Sequence, residues 1–247
     1  MFLWRFFLCI LLPAQLAAVS PHIMEKVRPY LLPDNHPAKK TLDSLFAKPP
    51  LADENSFREA GFQFLQRFKP DEQIRCARHP RLKGYLVKTY LDSQKRVGKE
   101  ERCWISRIKG AELIRQAIAK KNMQKAFKVP RKWIYLLPGN PTIPHRRFIL
   151  IVEDMHILDW DSNKRAYYFQ MSRKKMDALY QLITENRLID SIYIDNIPFC
   201  KDGRIAFIDT EHFHVADMPL RLARLTPYFC PPLAKYWEGL ISNTITP

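Results

Sequence analysis

Two side chains whose oxygen atoms could bind a metal, Asn196 and Asp209, belong to a predicted β-hairpin late in the chain. Asn196 lies on its first arm, and Asp209 directly follows its second arm. Its arms are the apolar stretches 192–199 and 204–208, joined by Cys200-Lys201-Asp202-Gly203. The Asp-Gly pair supplies the positive φ that a tight hairpin requires. Folding back at this turn brings an amide oxygen and a carboxylate close together, and such oxygen ligands suit Mg²⁺. The hairpin therefore predicts a magnesium site.

Two other interpretations of the same stretch stay open. Asp209 is followed closely by Glu211, His212 and His214, and alternate residues of a strand share a face, so these side chains could hold a transition metal. No Cys-x-x-Cys pair and no His-Glu-x-x-His motif supports that site. The stretch could also be an ordinary hairpin with polar ends. A serine or cysteine hydrolase is not indicated, because the chain has no Gly-x-Ser-x-Gly motif.

A lysine, Lys88, occupies the centre of the β-rich run 84–92. A lysine in an apolar strand needs a neighbouring anion, because burying its charge alone is costly. The amphipathic helix predicted for 105–122 carries one acid, Glu112, which is the candidate partner. The alternatives are that Lys88 faces solvent and that Glu112 pairs on the helix surface with Arg115 or Gln116.

Further elements must position these residues. Apolar runs predict strands at 133–137 and 148–152. Ser172 is a suitable N-cap for a helix over 173–186, whose apolar residues Met176, Leu179, Tyr180 and Ile183 share one face.

The order of these elements resembles that of the protein-kinase-like superfamily. The order is the lysine strand, the helix with one glutamate, two strands, a second helix and the hairpin that ends in Asp209. The resemblance covers 84–211. It implies an α+β, two-lobe fold with a small antiparallel-sheet lobe and a reduced helical large lobe. It further implies that Lys88 binds the phosphates of ATP, that Glu112 orients Lys88, and that Asn196 and Asp209 hold Mg²⁺.

The resemblance also assigns a hinge and a catalytic base. The strand at 148–152 would lead into a hinge at 153–158 that receives the adenine, which places Glu153 at the cofactor. The family has an Asp five residues before the metal-binding Asn, where this chain has Ser191. Asp190 and Asp195 are the nearby acids, and Asp190 is the assigned base.

The chain departs from the family in two places besides the base. No glycine-rich loop precedes Lys88, and only 33 residues follow His214, which leaves no room for a long activation segment. The predicted function is a Mg-ATP-dependent phosphotransferase with a protein as the expected acceptor. The alternative is an exported pseudokinase that binds a nucleotide or a partner without chemistry.

The predicted domain organisation is a signal peptide at 1–20, an N-terminal extension over 21–55, a small lobe with its hinge over 56–158 and a large lobe over 159–247. The first segment has Arg5, an apolar run over 6–12 and small residues at 17–20, which is typical of a secretory signal. We therefore expect a secreted or periplasmic protein, with a membrane anchor as the alternative. Four cysteines would remain after cleavage, an even number that permits disulfides.

The chain is strongly basic, with a formal net charge of +15, so an anionic partner is expected. The basic clusters lie in or beside predicted helices, where they are usually solvated, and no zinc-finger or RNA-binding motif accompanies them. Composition and charge thus favour a nucleotide, and a protein substrate or partner, over nucleic acid. The apolar run near the N-terminus is short for a span, so no stable span is expected in the mature chain.

Overall fold

The computed structural model describes residues 19–47, 53–65, 74–90, 100–138, 147–216 and 218–245. The predicted signal peptide thus falls almost entirely outside the described residues. The strands are β1 (Gln63–Phe64), β2 (Ile74–Arg78), β3 (Tyr85–Tyr90), β4 (Phe127–Lys128), β5 (Lys132–Leu136), β6 (Phe148–Glu153) and β7 (Ile205–Ala206). The helices are α1 (Pro21–Val27), α2 (Lys39–Phe46), α3 (Glu54–Glu59), α4 (Glu100–Lys120), α5 (Trp160–Gln170), α6 (Arg173–Asn186) and α7 (Pro231–Ile245).

The described chain has a mixed α+β fold built on a five-stranded antiparallel sheet in the order β1-β2-β3-β6-β5. The runs predicted as strands at 133–137 and 148–152 and the lysine strand are β5, β6 and β3, and all three belong to this sheet. That prediction is confirmed. The strand β6 lies between β3 and β5 and is buried along most of its length, which explains its unbroken apolar sequence.

The strand register places two lysines on one face of the sheet. Lys88 lies opposite Leu150, and Lys132 lies opposite Val152. Residues directly opposite in an antiparallel pair share a face, and so do residues two apart along one strand. Lys88 on β3 and Lys132 on β5 therefore both lie on the face against which α4 packs.

The opposite face of the sheet is covered by the N-terminal extension. Leu42 and Phe46 of α2 and Phe57 of α3 pack with Ile149 and Ile151 of the sheet in one buried cluster. The chain before α2 also joins the edge of β5, where the Leu32 N–H donates to the Ile134 carbonyl over 2.8 Å. The extension is thus an integral part of the sheet's core.

Helix α4 connects the sheet to the helical part of the molecule. Near its start, Cys103 and Trp104 belong to the buried cluster beneath the sheet. Towards its end, Ala111, Ile114 and Ile118 belong to the larger cluster formed with α5, α6 and α7. Any movement of α4 must therefore disturb both cores.

The helical part begins with α5 and α6, which a two-residue connection separates. Ser172 caps α6, and the helix runs from Arg173 to Asn186 as predicted. It ends at Arg187 in a left-handed conformation, and the Arg187 guanidinium donates to the carbonyls of Val215, Ala216 and Met218. No helix in the described part of the chain is both long enough and apolar enough to cross a membrane.

The predicted hairpin is present, but its first arm is not a strand. Residues 190–192 form a 3-10 turn and 194–196 a further turn. Cross-pairing starts at Asn196, whose carbonyl accepts the Ile208 N–H over 3.0 Å, and continues at Pro198, whose carbonyl accepts the Ala206 N–H over 2.9 Å. Pro198 has no N–H and cannot return a hydrogen bond, so the first arm donates only near the turn, where the Cys200 N–H donates to the Arg204 carbonyl over 2.8 Å. The second arm also pairs with β4, in parallel, through β7.

We predict that the N-terminal extension contributes to the stability of the whole sheet. Leu42 is fully buried, so Leu42→Ala should lower the free energy of unfolding by about 2–5 kcal/mol. Lys40→Ala, on an exposed position of the same helix, should change it by less than about 0.5 kcal/mol. Urea unfolding followed by circular dichroism measures both. Equal, small losses would show that the extension folds independently of the sheet.

Candidate functional site

A cavity lies between the lysine face of the sheet and the turn that starts the hairpin. Four of the side chains predicted for the site line it: Lys88, Glu153, Asn196 and Asp209. Asp195 lines it too. Arg75 and Arg78 of β2, Arg107 of α4 and Asp154 also line the cavity. The cavity thus collects residues from segments more than a hundred positions apart in sequence.

Asp209 lies in a strongly cationic surrounding. Burial by itself would raise the pKa of Asp209, but the charges of Arg107, Lys88 and Lys132 outweigh burial and hold that pKa below its usual range. Asp209 is therefore an ionised carboxylate at neutral pH. The charge of Lys88 thus acts on Asp209, and both residues line the cavity.

Arg107 of α4 is the direct partner of Asp209, and the sequence analysis did not identify it. Its Nη1 donates to Oδ1 of Asp209, and its Nη2 donates to Oε2 of Glu211 over 2.6 Å. Arg107 is only 5% exposed. One buried guanidinium therefore joins two carboxylates, and its two ends match two acceptors separated by one residue.

Three further hydrogen bonds tie the segment around this ion pair to its neighbours, two to α4 and one to β5. The Thr210 hydroxyl donates to the Arg107 carbonyl over 2.7 Å and accepts from Nζ of Lys132 over 2.7 Å. The Ser106 hydroxyl donates to the Glu211 carbonyl over 2.6 Å. Burial lowers the pKa of Lys132 well below its ordinary value, and the like charge of Lys88 acts in the same direction. Residues 209–211 are thus held from the helix and from β5.

Gly110 allows α4 to approach this segment closely. A Cβ at position 110 would lie 2.0 Å from the backbone oxygen of Thr210. No side chain fits at that distance, so the contact between helix and backbone requires glycine. This explains a glycine in the middle of a long helix, where glycine is otherwise unfavourable.

Glu112 does not occupy the predicted position beside Lys88. Its side chain is 52% exposed and bonds to Arg115 and to Gln116, which was the alternative interpretation of this residue. It does not line the cavity that contains Lys88. The reason is helical geometry: five residues along a helix turn the side chain well away from the direction of Arg107. The predicted Lys88–Glu112 pair is therefore wrong. The ion pair that α4 contributes to the cavity is formed by Arg107 and Asp209.

At the rim of the cavity, Glu153 ends β6 and its carboxylate accepts the Arg131 N–H over 2.8 Å. The next residue, Asp154, accepts the His156 N–H over 2.8 Å and lies 3.4 Å from Arg78. These bonds fix the chain at the predicted hinge. His156 takes a positive φ of 51°, which completes the bend there.

The two candidate bases differ in what the structure describes. The backbone of Asp190 begins the 3-10 turn, and its side chain lies outside the described part of the molecule. Asp195 and Asn196 both line the cavity, although neighbouring residues of an extended strand would point apart. They can do so because this segment is a turn, in which the Asn196 N–H donates to the Tyr193 carbonyl over 3.0 Å.

The transition-metal interpretation receives no support from the described residues. Among them, no three His, Cys, Asp or Glu side chains are grouped as a metal ion would require. His214 takes a positive φ and its N–H donates to the Asn186 carbonyl over 2.9 Å, which places its backbone against the end of α6.

We predict that the buried ion pair of Arg107 is a main contributor to stability. Arg107→Met leaves Asp209 and Glu211 without their shared cation, so the free energy of unfolding should fall by about 3–5 kcal/mol. The matched control is Arg115→Met on the same helix, which removes a pair with the exposed Glu112 and should cost less than about 1 kcal/mol. Chemical denaturation at neutral pH compares them, and similar losses for both variants would contradict the assignment.

A second prediction concerns the contact at Gly110. Gly110→Ala must displace either α4 or residues 208–211, so it should destabilise the protein by about 1–3 kcal/mol or more. Gly239 of α7 has open space around its Cβ direction, so Gly239→Ala should be neutral or stabilise by up to about 1 kcal/mol. Melting temperatures of the two variants test this; an unchanged value for Gly110→Ala would show that the two segments separate at little cost.

Comparison with known proteins gives no family assignment. No protein-family description and no curated protein matches the chain. Among solved structures, the complex of Rv3197 with erythromycin from Mycobacterium tuberculosis aligns with 83% of this chain at 13% identity and a TM-score of 0.31. The alignment covers 61% of that chain. A likeness at this level carries no argument about the fold or the function of the protein described here.

Proposed function

We propose that this chain is a divergent protein-kinase-like phosphotransferase that binds Mg-ATP in the cavity between the sheet and the hairpin. One observation carries the proposal: Lys88, Asn196 and Asp209, assigned to phosphate and metal from their order in the sequence, line the same cavity. Lys88 lies 108 positions before Asn196 in the sequence, so an ordinary hairpin with polar ends does not by itself account for their meeting at one cavity.

The arrangement of elements supports the same reading of the fold. A kinase-like small lobe has an antiparallel sheet with a lysine on the face that carries its long helix, and here β3 and α4 have this relation. The helical core around α6 would be the reduced large lobe, and the cavity would be the cleft between the lobes. The covering of the outer sheet face by the N-terminal extension is an addition to that plan.

The donor set of the cavity suits magnesium carried on a nucleotide. The amide oxygen of Asn196 and the carboxylate oxygens of Asp209 are hard ligands of the kind that Mg²⁺ prefers. The described residues offer no complete protein site for a metal. Mg²⁺ usually takes one or two protein ligands together with phosphate oxygens, so this incomplete set fits a metal that arrives with ATP.

Bound Mg-ATP would supply the transferable phosphoryl group, and the chain would position the reactants. Lys88 would bind phosphate oxygens, oriented by the charge of Asp209 in place of Glu112. The hinge after Glu153 would receive the base. Of the two candidate bases, Asp195 lines the cavity and would accept the proton of the acceptor hydroxyl, while Asp190 remains a prediction from sequence register. The expected acceptor is a protein hydroxyl.

The second candidate function is a pseudokinase that binds without chemistry. Two observations favour it. Arg107 holds Asp209 in a buried ion pair, which competes with a metal for the carboxylate. The sequence from Phe62 to Lys83, where a kinase has its phosphate loop, contains no glycine. A pseudokinase that binds the nucleotide shares ATP binding with the enzyme and differs from it in turnover, whereas one that binds only a partner would not bind ATP.

Thermal-shift titration with ATP and Mg²⁺ tests the shared requirement. A ligand at about 100 times its dissociation constant stabilises the folded state by about 2.7 kcal/mol, so the melting temperature should rise by several degrees. Lys88→Met and Asp209→Asn should lose this rise. Because Asp209→Asn also weakens the pair with Arg107, each variant is compared with itself in the absence of ligand.

Two controls make the titration specific. Lys83→Met removes an exposed lysine five residues before Lys88, and Glu112→Gln removes the surface acid; both should keep the full shift. If the parent protein shows no shift at millimolar nucleotide, the proposal fails. Transfer of labelled phosphate to a protein acceptor, abolished by Asp195→Asn, would then separate the enzyme from the pseudokinase.

A further inference from the structure

The corner between α5 and α6 exposes two aromatic side chains that the core does not use. Phe169 is 75% exposed and Tyr168 is 43% exposed. Among the residues that the structure describes, the only other large hydrophobic side chain with comparable exposure is Met218. The buried face of α5 consists of Asn163, Ala166 and Tyr167, so the aromatic pair breaks the amphipathic pattern of its helix.

Basic residues flank the aromatic pair along the chain, and one of them, Arg173, also lies over the Tyr236 ring of α7, 5.0 Å from its centroid. Arg165 is exposed one turn before Phe169 on the same side of α5, and Arg173 and Lys174 are exposed at the start of α6, two residues beyond the corner. We call these five residues, Arg165, Tyr168, Phe169, Arg173 and Lys174, the corner patch.

The nearest acids offset this charge only in part. Asp161 is paired with Lys164 over 3.1 Å, and Asp177 accepts a hydrogen bond from the Tyr236 hydroxyl over 2.5 Å. Between 161 and 175 the chain has five basic residues against one acid. The corner patch is therefore apolar at its centre and cationic at its rim.

We propose that the corner patch is a docking site for an anionic lipid surface, with Phe169 and Tyr168 entering the headgroup region and the basic rim contacting lipid charges. Aromatic residues beside Lys and Arg are the composition of interfacial membrane contacts. The patch lies at the corner between two helices, with both aromatic side chains exposed. Such contact at the surface needs no membrane-spanning helix.

Nucleic acid fits the geometry less well. The rings of Tyr168 and Phe169 are packed edge to face, with centroids 4.8 Å apart and planes at 70° to each other. Bases that follow one another along a strand stack on aromatic faces, and two rings set at this angle and against each other do not form such a platform. The patch therefore favours lipid, and nucleic-acid binding becomes an outcome of the test.

Vesicle co-sedimentation of the full chain tests the proposal. We expect binding to vesicles of phosphatidylcholine with about one third phosphatidylserine, and much weaker binding to phosphatidylcholine alone, because an anionic surface attracts basic residues close to it. Raising the salt from about 0.1 M to about 0.5 M should release the protein, since screening shortens the reach of charge.

Variants assign the binding to the patch. Tyr168→Ala with Phe169→Ala, and Arg165→Gln with Arg173→Gln and Lys174→Gln, should each weaken binding by roughly tenfold or more. All variants retain residues 1–20, so any contribution of that segment is common to every sample. Because all five side chains are exposed, melting curves should show that the variants stay folded.

Matched controls alter the same properties elsewhere. Met218→Ala removes an exposed apolar side chain near Arg187, at the far end of α6, about 20 Å from Arg173 at 1.5 Å per helical residue. Lys26→Gln with Arg28→Gln and Lys40→Gln removes three exposed charges from the N-terminal extension. Both controls should bind like the parent. The proposal fails if the patch variants bind like the parent, if lipid charge has no effect, or if the patch variants lose only binding to a single-stranded oligonucleotide.

Discussion

The Arg107 guanidinium, shared between Asp209 and Glu211, is the interaction on which the arrangement of this molecule depends. It is buried at the junction of the sheet, α4 and the hairpin, where each partner alone would be an uncompensated charge. The neighbouring contacts join the same two segments. The hydroxyls of Ser106 and Thr210 form hydrogen bonds between α4 and residues 210–211, and Gly110 allows the backbone of α4 to lie against that of Thr210. The helix that joins both cores is thereby fixed to the segment that carries the candidate metal ligand.

Charge accounts for much of the cavity's composition. Lys88 and Lys132 lie on one sheet face and Arg107 faces them from α4, so three cations surround Asp209. Burial lowers the pKa of Lys132, the like charge of Lys88 adds to this, and Lys132 hydrogen bonds to the Thr210 hydroxyl. The lining of the cavity as a whole balances four basic side chains, Arg75, Arg78, Lys88 and Arg107, against four carboxylates, so a polyphosphate would be attracted by the cations on the sheet and on α4 and not by a net charge. The carboxylates at its edge would then serve a metal that accompanies the anion.

The sequence predicted the elements more accurately than the contacts between them. Long apolar periods identified β6 and α6, and Ser172 marked the start of α6, because burial and capping act locally. The first hairpin arm was predicted as a strand since its apolar content suggests one, but Pro198 removes a donor and the turn at Tyr193 takes over. The failure at Glu112 has a different cause: one acid on a helix was chosen by its type, not by its face. Arg107 lies four residues before the buried Ala111 and seven before the buried Ile114, and this periodicity is the signal that could have identified a buried charge.

The ion pair and the proposed nucleotide site make opposing demands on Asp209. A carboxylate bound by a buried guanidinium is a weaker metal ligand than one facing a cavity, since the metal must compete with an existing positive partner. Asp209 could serve both roles if the ligand supplied a cation for Asp209 and an anion for Arg107. Mg-ATP would bring a cation to Asp209 and phosphate oxygens to Arg107 at the same time, and Glu211 would keep a hold on the guanidinium while its other nitrogen changes partner. Because Glu211 binds one nitrogen of the guanidinium throughout, that exchange would leave no buried charge uncompensated. Without Glu211, release of Asp209 to a metal would depend on the ligand alone to compensate the charge of Arg107.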